Sequence, residues 1–185
     1  MGYISKSYGG DDSYREVKHE ECGCEHHHHH HRDCRDDEGR RLVDFEFSQQ
    51  NGTATIIAPA ATTVEQTIAQ IRFGDVCSGD LVFLTGSTTI TVPAAVTGTS
   101  LPAAVSVIIR RSFRFQNPAQ GTIIYAESLP TPVVAGTTFL PIDHVDVLSG
   151  GDDGVVYTLS VSVTGGTSPS TVTVTNTTFT GAQYR

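Results

Sequence analysis

The sequence predicts an all-β fold: an antiparallel β-sandwich or jelly roll of about eight to ten strands, with an extended N-terminal connector. Three observations predict it. Residues 42–185 read as one short alternating or apolar run after another. Gly, Pro, Asn and Asp breakers separate the runs, as at Ser78-Gly79-Asp80, Asn117-Pro118 and Gly165-Gly166. Charge is concentrated before residue 42, leaving the remainder free for packing.

The runs fall at 42–47, 53–58, 65–73, 81–84, 88–92, 104–115, 122–127, 142–148, 155–163 and 170–179. In the first, Leu42, Asp44 and Glu46 lie opposite Val43, Phe45 and Phe47, and Asn51-Gly52 follows as a turn signal. The clearest alternation sets Val155, Tyr157, Leu159, Val161 and Val163 against Val156, Thr158, Ser160, Ser162 and Thr164. It predicts one core face and one Thr/Ser face. No fixed internal period is present, which argues against a fibrous repeat.

Residues 1–41 form a different segment. They hold 7 of the 12 Lys/Arg, 10 of the 20 Asp/Glu, seven of the eight His and three of the four Cys. Such a composition buries too little apolar surface to offset chain entropy by itself, so the segment needs a partner, a metal or a cross-link to order it. Residues 42–185 contain no Lys. The two parts are therefore a charged Cys/His-rich connector, 1–41, and a β domain, 42–185.

The formal charge of −8 argues against a nucleic-acid partner. No run approaches the ~20 apolar residues of a membrane-spanning helix. The first ten residues lack both the apolar centre of a secretory leader and the myristoylation pattern. The expectation is that a leader has been removed or that the protein reaches its destination by another route, such as lysis of a mother cell.

The densest chemistry lies between Cys22 and Cys34. Cys22, Cys24, His26, His27, His28, His29, His30, His31 and Cys34 are thiol and imidazole groups that suit zinc, copper or nickel. Three readings stay open: an engineered affinity tag, a natural metal-binding tract, and a solvated spacer whose cysteines do the work. The single Cys-x-Cys does not match the paired ligands of a structural zinc site. Cys77 reads either as a small buried core residue or as a disulfide partner for a connector cysteine, within one chain or between chains.

Other candidates have plain readings. His144 shares a strand face with Ile142 and Asp146; Asp143, His144 and Asp146 could form a catalytic or metal cluster but read first as polar positions on an exposed strand face. Asp152 and Asp153 read as a turn before they read as calcium ligands. Asn51 and Asn176 match the glycosylation pattern in Thr-rich sequence, where it arises by chance. Arg111 falls in register with Val107, Ile109 and Phe113 and so interrupts an apolar face; a bulge or an intersubunit ion pair would explain it. No nucleophile elbow, zincin motif or phosphate loop is present. No titratable pair is spaced to assign an acid and a base. The residues therefore predict neither an enzyme nor a small-molecule substrate.

Cys22-Gly23-Cys24 upstream of the domain, Cys77 within it, and an all-strand domain ending in Val172-Thr-Val-Thr-Asn-Thr-Thr-Phe179 resemble the spore-surface proteins of Gram-positive spore formers. More narrowly, the chain resembles the jelly-roll subunits of endospore appendage fibres. The resemblance implies an extracellular or spore-surface, self-assembling homopolymer. It implies that Cys22 and Cys24 act as connector cysteines and Cys77 as an acceptor on a neighbour. Cys34 and the acidic, His-rich length of the connector depart from that family. Two further classes remain: a trimeric jelly-roll binding module of the spore surface, and a metal-binding protein acting through the His/Cys tract.

Overall fold

The computed structural model describes residues 40–113, 116–149 and 154–185. Among them are nine strands: β1 (Leu42–Gln50), β2 (Ala54–Ala58), β3 (Thr63–Phe73), β4 (Leu81–Val92), β5 (Ala104–Phe113), β6 (Thr122–Ser128), β7 (Gly136–Val147), β8 (Val155–Thr164) and β9 (Ser170–Tyr184). A single 3-10 turn, Pro118–Gln120, is capped by the Asn117 side chain accepting from the Ala119 amide.

Every pairing is antiparallel. One sheet runs β1-β9-β4-β7, with β2 also on β9; the other runs β3-β8-β5-β6. β1 pairs with the C-terminal half of β9 and β2 with its N-terminal half. Counted as one interrupted strand, they leave two layers of four positions. Only the β5–β6 connection then stays within a layer, and every other connection crosses between layers. That wiring is a jelly roll.

The core lies between the layers. Phe73, Tyr157 and Phe179 are fully buried, and the Phe73 and Tyr157 rings meet edge-on at 6.1 Å. The alternation of β8 puts Val155, Tyr157, Leu159, Val161 and Val163 into this core as expected. Its Thr/Ser face is not a solvent face throughout, however. Thr158 and Ser160 are also buried. β8 is a central strand, and Arg110 on β5 reaches over it to Glu65 on β3, its Nε and Nη2 donating to the two carboxylate oxygens at 2.8 and 2.7 Å. Those Arg110 hydrogen bonds, with Arg110's positive charge and a bond from Ser160, hold the Glu65 carboxyl below its usual range against the opposing effect of burial.

Two runs expected as separate strands, 81–84 and 88–92, are one. Thr85-Gly86-Ser87 continues β4 through the centre of its sheet. Gly86 is required there, because a Cβ would overlap the Thr178 carbonyl oxygen of β9. The crowding sits beside irregularities in both strands: a register shift between Ser87 and Thr89, and Asn176 at φ 50°. The irregularity reverses which residues of β9 face inward, from Val172 and Val174 before it to Phe179 and Gly181 after it. Gly86→Ala should lower stability by about 1–3 kcal/mol in urea unfolding. Gly52→Ala, where a Cβ meets nothing within 4 Å, is the control and should leave the midpoint close to wild type.

Candidate assembly surface

Two features of the first sheet stand out: its outer face, and the corner where residue 40 enters it.

The outer face follows from register. Odd-numbered residues of β4 and β7 point outward, as do even-numbered residues of β9 beyond Asn176. β1 is turned so that Phe45 and Phe47 also point outward, while Asp44, Glu46 and Ser48 face inward and are half-buried. The register then aligns Phe45, Ala182, Phe83 and Val145 in one row across four strands. Tyr184, Leu81 and Val147 form the next row. Phe45 is 56% exposed, Phe47 67% and Val147 57%. Phe83 and Tyr184 pack edge-on at 5.2 Å, and together with Leu81 and Arg40 they line a shallow groove of about 310 Å³. Away from this end the face turns to hydroxyls, with Thr85 bonded to Thr180 at 2.7 Å and Ser87 to Thr178 at 3.1 Å.

The corner is built around Asp80, which is 1% exposed. Its Oδ2 accepts from the Cys77 amide at 2.8 Å, Gln183 Nε2 at 2.6 Å and Arg185 Nη2 at 3.1 Å. Its Oδ1 accepts from Arg185 Nε at 3.2 Å. Burial pushes this carboxyl up, but the bonds from Arg185, Cys77 and Gln183 outweigh it and hold the group below its usual range. Arg41 and Arg185 exchange backbone bonds at 2.9 and 3.0 Å, and Arg40 Nη1 donates to the Gly79 carbonyl at 3.3 Å. The Cys77 loop, the end of β9 and the chain entering β1 therefore meet at one point. Cys77 is buried, 6% exposed, and disulfide-bonded.

Cys22, Cys24, Cys34 and His26, His27, His28, His29, His30 and His31 lie outside the described residues, as do Arg114, Asp152 and Asp153. Among the described residues no group of three or more His, Cys, Asp or Glu is placed to hold a metal ion. None of their helices is long and apolar enough to cross a membrane.

Asp146 is not on an exposed face. It is 6% exposed and points between the sheets, where Arg111 Nη1 donates to its two oxygens at 2.9 and 3.0 Å and the Tyr157 hydroxyl donates at 2.8 Å. The charge of Arg111 supplies the reason. An arginine facing inward from β5 needs a carboxylate, and β7 across the sandwich provides it. The ion pair that explains Arg111 is thus within the chain; β5 runs unbroken against β8 at this point, and the register shift opposite Ile109 and Arg110 puts its extra residue on β6. Burial, then the charge of Asp146 and the hydrogen bond to it, push the Tyr157 hydroxyl far above its ordinary range. His144 is half-buried on the same inward face, its ring 5.8 Å from that of Tyr125. Tyr125 in turn donates to Glu127 and is pushed up to about 12 by burial and by that carboxylate.

Sequence comparison finds no matching protein family and no matching curated protein. Structural comparison finds likenesses of fold at low identity. One is the structure of infectious bursal disease virus Gx strain, at 12% identity and TM-score 0.43, matched over 80% of this chain and 36% of that one. A second is the enzymatically active domain of the bacteriophage CBA120 tailspike protein 4, at 12% identity and TM-score 0.38, over 76% of this chain and 18% of that one. A third comes from carbohydrate-binding modules of the β-sandwich superfamily, at 12% identity and TM-score 0.32, over 72% and 55%. The chain spans about a third of the length of the first of these. At 12% identity the likeness concerns fold alone, and no function follows from it.

Proposed function

We propose that this protein is a non-catalytic, self-assembling structural subunit of an extracellular fibre or spore appendage. In this reading the jelly roll is the body of each subunit. Residues 1–41 are the connector that ties it to the next copy, through Cys22, Cys24, Cys34 and Cys77 and through any divalent zinc, copper or nickel held by His26–His31.

The observation that carries the reading is the corner at residue 40. The connector joins the domain beside the loop that bears Cys77, with Arg40 bonded to Gly79 of that loop. Cys77 thus lies near the point where the chain of the connector enters the domain, which supports a cysteine joint at that corner. The edge strand β1 adds a second support. Among the described residues it pairs only with β9 and carries no Pro or Lys; its edge protection is confined to the inward-facing Asp44 and Glu46 and the irregularity between Leu42 and Asp44. The opposite edge, β7, is interrupted by Pro141. An edge open on one side favours a directional head-to-tail contact, which propagates when it does not close.

Electron microscopy of the purified full chain tests this. Long uniform filaments are expected under oxidising conditions. Loss of filaments with reductant and in Cys77→Ser would assign the joints to the cysteines, and loss with chelator alone would assign them to the His tract. Discrete particles or trimers under every condition would overturn the fibre reading in favour of a closed binding module.

A further inference from the structure

We infer that the outer face of the β1-β9-β4-β7 sheet is a docking surface for the same face of a second copy. The inference deepens the fibre reading, on which it rests for the identity of the partner. It adds a face-to-face contact distinct from any β-edge or connector joint.

The chain carries a formal charge of −8, yet among the outward residues of β4, β7 and the second half of β9 the only charge is Asp143, with Arg40 at the edge of the groove. Depletion of charge with enrichment in aromatics is the compositional mark of an interface centre. Here Phe45, Phe47, Phe83, Tyr184, Val145 and Val147 adjoin one another by register. Isolated exposed apolar residues need no explanation, but a contiguous set spanning four strands does.

Four strands about 4.8 Å apart, each presenting some ten residues at about 3.4 Å, give a flat footprint on the order of 600 Å². Two such faces together bury on the order of 1,200 Å², the lower end of the range for a specific interface.

Residues 20–39, which precede Arg40 in the sequence, contain no Val, Leu, Ile, Met, Phe, Tyr or Trp. They have nothing with which to cover Phe45, Phe83 or Val145. A second copy of the face does: it has one apolar half and one Thr/Ser half, so a two-fold arrangement can set apolar against apolar.

Sedimentation velocity of the full chain, with reductant and chelator present to remove covalent and metal joints, tests the inference. Wild type should associate reversibly. Phe83→Glu should weaken association at least ten-fold, because Phe83 sits on a central strand at the middle of the row and cannot take part in edge pairing. Val145→Glu, on a neighbouring strand, should do the same and guards against a folding defect in the first variant. Gln70→Glu, which adds the same charge to the exposed side of β3, should associate like wild type. If both face variants associate as wild type does, the inference is overturned. Oxidised filaments in electron microscopy would then leave the fibre reading intact. If the face variants abolish a wild-type dimer while no filament forms under any condition, the inference stands and the fibre reading falls. A wild type that stays monomeric at all concentrations overturns the inference.

Discussion

Asp146→Ala is expected to lower the stability of the domain by about 3–5 kcal/mol, the cost of breaking a buried ion pair by removing one partner. Arg111 would be left facing inward between the sheets with its side chain only 17% exposed, and the Tyr157 hydroxyl would lose its acceptor. The Nε of Arg111 already has no hydrogen-bond partner, so the guanidinium has little left to replace the carboxylate. Tyr157→Phe should cost less, about 1–2 kcal/mol, because Asp146 keeps Arg111. The triple change Arg111→Met, Asp146→Leu and Tyr157→Phe removes every charge and hydroxyl at once. It should recover most of the loss and can equal or exceed wild type, since a packed apolar substitute avoids desolvating two ions. Urea unfolding of the three variants checks the order. A loss below about 1 kcal/mol for Asp146→Ala would show that water reaches the pair and that it does not tie the two layers together.

That network was hidden in the sequence for a definite reason. Asp146 follows Ile142 and His144 at spacing two, and a period of two shows only that residues share a face. Which face points inward depends on what lies across the sandwich. The deciding residue, Arg111, is 35 positions away on a strand of the other sheet. Arg111 itself was legible as an anomaly because Val107, Ile109 and Phe113 fix its face, and that anomaly was the one available signal that a carboxylate must be buried opposite. β8 shows the same limit in the other direction. Its apolar face was readable, but the burial of Thr158 and Ser160 depends on Arg110 and Glu65 meeting above them.

The strand class, the breakers and the start of β1 at Leu42 could be read directly, because alternation and turn chemistry are local. Strand lengths could not. β4 runs unbroken through Thr85-Gly86-Ser87, a stretch without apolar alternation, because β9 and β7 pair with it on both sides. The N-terminal half of β7, from Gly136 to Pro141, was not visible as a strand because Thr-Thr-Phe-Leu-Pro has neither clean alternation nor the absence of Pro expected of a central strand. As an edge strand it tolerates both. The apolar outer face was legible in part. Val43, Phe45 and Phe47 were clearly one side of a strand, but only register joins them to Phe83 and Val145 and shows that they point away from the core.

Asp80 is the second place where a single substitution should have a large effect, and here pH separates its charge from its packing. Asp80→Ala removes the acceptor of the Cys77 amide, Gln183 and Arg185 together, and is expected to cost about 3–5 kcal/mol. Asp80→Asn keeps an oxygen for one of those donors but removes the negative charge facing Arg185. In the folded protein the Asp80 carboxyl titrates below its ordinary value of about 3.9, so the unfolded chain binds the proton more readily. Its stabilising contribution is therefore fully present above about pH 4 and is lost as pH falls through the lower folded value. Glu65, also held low, contributes with the same sign, so the wild-type acid slope has more than one source. The difference between wild type and Asp80→Asn isolates the corner. Their stabilities should be furthest apart near neutral pH and converge below the folded pKa of Asp80. Unfolding midpoints measured at steps from about pH 7 to pH 2 give that difference directly. A gap that stays constant across the range would mean that packing, and not the Asp80–Arg185 charge pair, holds the end of β9 to the Cys77 loop.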